Sequence, residues 1–145
     1  MLPWQDVKAP QSLGYRIKLL SQLLSRKLQE ELQPYGLTPF HWVVLCCLWE
    51  QDGLSTSALG EKLRQVGGTL TGVIDRMEER DLVRRERDAC DRRIWRIWLT
   101  EAGRHLEEVL PAHAHAIRAQ TLQGFSEAEQ RLFSDWVDRA IVNLL

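Results

Sequence analysis

The sequence predicts a mainly α fold carrying one small β-hairpin, and three observations lead there. Apolar residues recur at spacings of three and four along most of the chain, the period of helices with one buried face. Two short runs on either side of the polar turn "DACD" abandon that period for alternation, which is the pattern of a hairpin. At 145 residues the chain suits a single domain, 1–145, with one core.

Composition narrows the class. The chain is 44% hydrophobic and 27% charged, ordinary values for a soluble globular protein. No apolar run approaches the roughly 20 residues that cross a bilayer. The opening "MLPWQDVKAP" lacks the basic-then-apolar order of a secretory leader. A cytoplasmic location with no membrane partner is therefore expected. Cys46, Cys47 and Cys90 follow no disulfide-scaffold spacing, which suits a reducing compartment.

The elements follow in order. Ser12 caps a long helix whose stripe runs Leu13, Ile17, Leu20, Leu24, Leu28 and Leu32, ending at Pro34-Tyr35-Gly36. Thr38-Pro39 is a cap followed by a first-turn proline, and opens the very apolar helix "FHWVVLCCLWE". Ser55 caps a short helix to about Arg64, with Ala58, Leu59 and Leu63 inward. After "QVGG", a fourth helix runs from Thr69 to Arg80, with Leu70, Val73, Ile74 and Met77 on one side. Thr71, Gly72, Asp75, Arg76 and Glu79 lie opposite.

Two amphipathic helices joined by a glycine-bearing turn form a helix-turn-helix signature. Leu82–Arg87 and Ile94–Leu99 then read as strands, so a hairpin wing follows directly. On the second strand Trp95, Ile97 and Leu99 share one face, and the tip holds Asp88, Asp91, Arg92 and Arg93. Thr100 caps a fifth helix running to about Gln120, with Pro111 as a kink or break. Ser126-Glu127-Ala128-Glu129 is a capping box for a last helix with a wide apolar face through Leu144.

Charge is concentrated where the wing lies. Residues 1–75 are net zero and 97–145 net −3, but 84–96 hold six Arg against three acids, net +3. A basic focus in an acidic chain points to a localised anionic partner. A helix entering a major groove needs small or polar residues at its leading end. Gly67, Gly68, Thr69, Thr71 and Gly72 supply that end, flanked by Arg64 and Gln65. Arginines at a hairpin tip suit the narrow, electronegative minor groove of A·T-rich DNA. A solvated charge run with Glu78, Glu79, Glu86 and Asp88 is the competing reading; the contiguous order of helix, hairpin and basic tip favours DNA.

The stretch "LGEKLRQVGGTLTGVIDRMEERDLVRRERDACDRRIWRIWLTEAG" resembles the winged-helix core of the multiple antibiotic resistance regulator (MarR) family. The matching positions are Leu82, Val83, Arg85, Asp91, Arg93, Leu99, Thr100 and Gly103, and the helix order covers nearly the whole chain. The resemblance implies a homodimeric, sequence-specific regulator of transcription, a repressor answering to a ligand, on a pseudo-palindromic double-stranded DNA operator. It makes 37–100 the winged helix-turn-helix core, with dimerisation helices at 11–34 and 101–145. Its DNA-binding residues would be Ser55, Arg64, Gln65, Gly68, Thr69, Thr71, Gly72, Asp75, Arg76, Arg92 and Arg93, with Asp91 bracing Arg93 by an ion pair. Two features depart from the family pattern: Asp81 replaces a customary glycine, and Gly67, Gly68 and Gly72 occupy frequent polar-contact positions.

Other constellations bear on regulation. Aromatic residues Tyr35, Phe40, Trp42 and Trp49, with His41, gather near the second helix, where relatives hold aromatic or lipophilic effectors; plain core packing is the competing reading. His41, His105, His113 and His115 lack the i, i+4 spacing of helical zinc pairs, so no metal or cofactor is expected. A metal-responsive regulator, through His41 and His105, stays an alternative, as does a redox-responsive one through Cys90. Cys46 and Cys47 read as small hydrophobes. No phosphate loop, nucleophile elbow or catalytic pairing argues for an enzyme. A protein-interaction winged helix without DNA is the last rival.

Overall fold

A computed structural model of the chain describes residues 4–64 and 68–145. Gln65 and Gly67, expected beside the leading end of the fourth helix, lie outside the described residues. Helix α1 (Leu13–Leu32) starts where expected, with the Ser12 hydroxyl accepting from the Tyr15 amide at 3.2 Å. A 3-10 turn at Gln33–Tyr35 and left-handed Gly36 end it. Helix α2 (Pro39–Glu50) has a capping box in which histidine does the work of glutamate. The Thr38 amide donates to His41 Nδ1 at 3.0 Å, and the His41 amide donates to Thr38 Oγ1 at 3.3 Å.

Two residues then form a strand that the sequence did not predict, β1 (Leu54–Ser55). Such a short strand has no alternation to read, and exists only because β3 offers it an edge. Helices α3 (Thr56–Leu63) and α4 (Gly68–Glu79) follow, then the wing strands β2 (Val83–Arg87) and β3 (Trp95–Leu99). The antiparallel sheet has order β1-β3-β2, with Leu54 opposite Ile97 and Val83 opposite Leu99. Ile97 and Leu99 are buried as expected, but Trp95 on the same face lies beyond the core and is 38% exposed.

The expected fifth helix is two helices. Helix α5 (Glu101–His105) passes into a 3-10 turn at Leu106–Glu108, and α6 (Leu110–Thr121) begins afresh. The break therefore comes before Pro111, which sits in the first turn of α6, where a missing amide hydrogen costs no hydrogen bond. Helix α7 (Glu127–Leu144) starts at the predicted Ser126/Glu129 capping box.

The core lies between α2, α3, α4 and the inner face of the sheet. Leu45, Leu48, Leu59, Ile74, Met77 and Ile97 are all but inaccessible to solvent. Each such side chain contributes about 2 kcal/mol of burial free energy. Among the described residues, the terminal helices bury Leu32 of α1 and Leu110 of α6 in this core, with Leu28 of α1 packed against it. Glycine is required at 103: a Cβ there would stand 2.1 Å from the Leu82 carbonyl oxygen. That carbonyl accepts from the Thr100 amide at 3.1 Å, and the Thr100 hydroxyl caps Gly103. The Leu-Thr-x-x-Gly sequence thus seats α5 against the end of α4.

Candidate nucleic-acid interface

Helix α4 divides its surface sharply. Leu70, Val73, Ile74 and Met77 are buried in the core, while Thr69, Thr71, Arg76 and Glu79 are exposed and Gly72 and Asp75 are half-buried. The Ser55 hydroxyl accepts from the Ala58 amide at 3.0 Å, so its role in this structure is to cap α3. Arg64 ends α3 in the left-handed region, with φ 53°, and its side chain is exposed.

The end of α4 is closed by paired bonds: Asp81 N–H to Glu78 C=O at 3.0 Å, and Leu82 N–H to Met77 C=O at 2.9 Å. Asp81 takes φ 58° to make this turn. An aspartate fills a glycine's position because its short side chain tolerates that geometry better than most.

Three arginines of the wing are structural. Arg85 reaches back to α4, pairing with Asp75 and with Glu78 at 3.1 Å. These two carboxylates outweigh the cost of burial and raise the Arg85 pKa above its ordinary value. Arg87 lies 3.9 Å from the centroid of the Trp95 ring and donates to the Arg92 carbonyl at 2.7 Å. Arg96 pairs with Asp88 and donates to the Gly53 carbonyl at 3.0 Å. Wing, recognition-like helix and β1 turn are therefore clamped to one another.

The tip is organised around two aspartates. Asp88 Oδ2 accepts from the amides of Cys90 and Asp91, each at 2.9 Å. The Arg96 guanidinium, then the two amides, hold the Asp88 carboxyl well down, to about 2. Asp91 grips Arg93 through both carboxylate oxygens, Nε to Oδ1 and Nη2 to Oδ2, each at 3.1 Å. That pairing lowers the Asp91 pKa and raises that of Arg93. Arg93 nevertheless leaves 91% of its side chain in solvent. A cation held in orientation and still bare is what an anionic groove can use. Arg92 beside it is exposed.

Of the predicted contact residues, the structure brings Thr69, Thr71, Gly72 and Arg76 onto one exposed side of α4, and sets Arg92 and Arg93 at the tip. It places Asp75 in the pair with Arg85. Arg85, Arg87, Asp88 and Arg96 went unassigned in the sequence. One signal was present: Arg85 stands two residues after inward Val83 and opposite buried Ile97, so strand parity turns it toward α4. The stacking on Trp95 had no such signal.

The aromatic set divides into separate contacts. Trp42 and Trp49 meet edge to face with centroids 5.8 Å apart, and the Trp49 indole N–H donates to the Gly103 carbonyl at 3.0 Å. Tyr35 meets His113 instead, and Phe40 is half-buried against the core. His41 is 4% exposed, and among the described residues its Nε2 has no hydrogen-bond partner. Burial first, then the charges of Arg76 and Arg80, lower its pKa. A groove of about 430 Å³ lies elsewhere, at the α6–α7 corner, lined by residues that include Phe125, Phe133 and Trp136.

His105 is exposed and faces Glu108 at 3.3 Å, and no group of three metal-ligating side chains occurs among the described residues. Burial first pushes the Cys46 thiol up to about 11 and also raises that of Cys47. Cys90 is exposed. No helix among the described residues is long and apolar enough to cross a membrane.

The chain is similar to known regulators of transcription. Residues 37–95 match the model of the MarR family. The chain is 33% identical over 130 residues to the HTH-type transcriptional regulator TtmR of Methylorubrum extorquens, covering 87% of this chain and 66% of that protein. It is 33% identical over 126 residues to the transcriptional regulator HosA of Escherichia coli O127:H6, covering 85% and 90% respectively. The crystal structure of the S. aureus MepR–DNA complex superposes with a TM-score of 0.86 over 91% of this chain and 98% of that one; at 22% identity the likeness is one of fold.

Proposed function

This chain belongs to the MarR family of transcriptional regulators, and we propose that it acts as a homodimeric repressor on a pseudo-palindromic DNA operator, released by a small aromatic or lipophilic acid. In this reading 37–100 reads DNA and the helices of 11–34 and 101–145 pair two protomers in the cytoplasm. The observation that carries it is Arg93, oriented by Asp91 yet 91% exposed, on a wing clamped to α4 through Arg85. With the tip in a minor groove and the exposed face of α4 in the adjacent major groove, two copies would meet half-sites about 34 Å apart. MepR, of like fold, is itself described in complex with DNA.

The paired state is supported by the apolar faces that the protomer leaves uncovered. Ile17 of α1 is 53% exposed and Trp136 of α7 57%. The effector is supported by His41. Its Nδ1 accepts from the Thr38 amide, so the neutral ring carries its proton on Nε2, a buried donor that a ligand carboxylate could accept from.

The test is binding to the DNA flanking the chain's own gene, across salt concentrations and with added aromatic acids. Arg93→Ala should weaken binding about tenfold or more and flatten the salt dependence. Undiminished binding by that variant would remove the wing from the interface. A complex indifferent to every aromatic acid would remove the effector.

A further inference from the structure

The short turn between α1 and α2 is where the reading and pairing halves meet. Arg80, the first residue beyond α4, turns its guanidinium toward it: Nη2 donates to the Tyr35 carbonyl at 2.6 Å, and Nη1 donates to the Gly36 carbonyl. Gly36 holds φ 67°, and a Cβ there would lie 3.0 Å from both Nη atoms, so glycine opens the place that Arg80 occupies. From the same turn the Tyr35 ring meets His113 of α6 edge to face, at 5.5 Å and 72°.

The Tyr35 hydroxyl is 3.0 Å from His113 Nε2, and His113 Nδ1 is 2.6 Å from Glu31 Oε2 on α1. A carboxylate only accepts, so Nδ1–H donates to Glu31, and Nε2 of the neutral ring accepts from the Tyr35 hydroxyl. One chain of polar contacts thus runs from α1 and α6 to the end of α4. Apolar continuity over the same path is narrow: among the described residues, Leu32 of α1 and Leu110 of α6 are buried in the core, with Leu28 of α1 packed against it.

We propose that Arg80, Tyr35 and His113 are positioning residues that fix α4 relative to the paired terminal helices, and so set the half-site spacing the dimer accepts. This rests on the reading that α4 meets DNA and the terminal helices pair. The physical reason is preorganisation. A dimer engages both half-sites at full strength only if its two reading helices are held at the separation the duplex presents. A yielding joint loses affinity for the correct spacing and tolerates wrong ones. None of the three needs to touch DNA for this effect.

The probe is the strongest duplex selected by the wild-type protein from a randomised pool. It is compared with the same duplex lengthened by one central base pair, and with a single half-site. Arg80→Met, Tyr35→Phe and His113→Ala should each lose about five- to tenfold on the selected duplex, the scale of one hydrogen bond. They should lose little on the half-site, discriminate less against the lengthened duplex, and sediment as wild type. His113→Gln, whose amide oxygen can accept from the Tyr35 hydroxyl, should recover most of the loss. Tyr35→Phe removes one oxygen only, and keeps the test alive if a harsher variant unfolds.

Equal losses on half-site and full duplex, or an unchanged spacing preference in all variants, would overturn the proposal. A wild-type protein that binds DNA with no spacing preference would bring down the two-fold reading beneath it.

Discussion

Helices α4 and α7 have the same kind of pattern and opposite fates. Both keep their apolar residues to one side. In α4 that side is covered by the chain itself: Leu70, Val73, Ile74 and Met77 are each no more than 5% exposed. In α7 not one residue is buried, and Leu132, Trp136, Val137 and Ile141 are 44–57% exposed. Helix α1 grades from one condition to the other, from Leu13 at 63% to Leu32 at 0%. Periodicity reveals that a helix has a face to bury. It says nothing about which molecule buries it.

The largest expected effect tests whether a second copy covers α7. Trp136→Glu combined with Ile141→Glu would set two carboxylates in an apolar contact, where unpaired charge is costly. We expect the dimer to weaken by a factor of a thousand or more, equivalent to about 4 kcal/mol. The variant should sediment as a monomer, and its unfolding midpoint should no longer rise with protein concentration. A wild-type chain that is monomeric at micromolar concentration would break the comparison outright.

Met77 supplies the opposite control. Its side chain is fully buried in α4, and Met77→Ala leaves a cavity that should cost about 3 kcal/mol. Urea unfolding of the Trp136→Glu/Ile141→Glu background should show the same loss, because the covering residues are all in one chain. A Met77→Ala penalty that disappears in the monomer would place α4 at the protomer interface after all.

How much of this was legible follows the same division. The order of elements could be read because its signals are local: caps at Ser12, Thr38, Ser55 and Ser126, and the alternation of Ile97 and Leu99. What escaped depends on partners distant in sequence. Strand β1 needs β3, the break before α6 depends on how α5 seats, and Arg85 and Arg96 are fixed by carboxylates seven to ten residues away. The wing's charge count shows six arginines, of which the sequence assigns Arg92 and Arg93 to DNA and gives the others no role. Folding engages Arg85, Arg87 and Arg96 in holding the wing together.

Asp81 refines the comparison at the end of α4, where the core closes without a glycine. Its φ of 58° is tolerable for aspartate and poor for a β-branched residue. Asp81→Val should destabilise by about 1–2 kcal/mol at every protein concentration, measured by thermal unfolding. Asp81→Gly should hold or gain a little, since the relief of strain is partly offset by a freer unfolded chain. A concentration-dependent loss for Asp81→Val would mean that this turn answers to the dimer rather than to the core.

The smallest effect is a dependence on pH that should belong to the core alone. His41 has its pKa lowered by burial and then by Arg76 and Arg80, below the ordinary 6.5 of histidine. Between the lowered value and 6.5 the unfolded chain binds more protons than the folded one, so stability falls as pH falls through that window. It is fully present above 6.5. Glutamine at this position keeps the capping box and cannot titrate. His41→Gln should therefore flatten the stability curve below about pH 6.5, equally in the dimer and in the Trp136→Glu/Ile141→Glu monomer. The same slope in the variant as in the wild type would remove His41 as its source. Flattening confined to the dimer would show that the terminal helices, not the core, keep that imidazole dry.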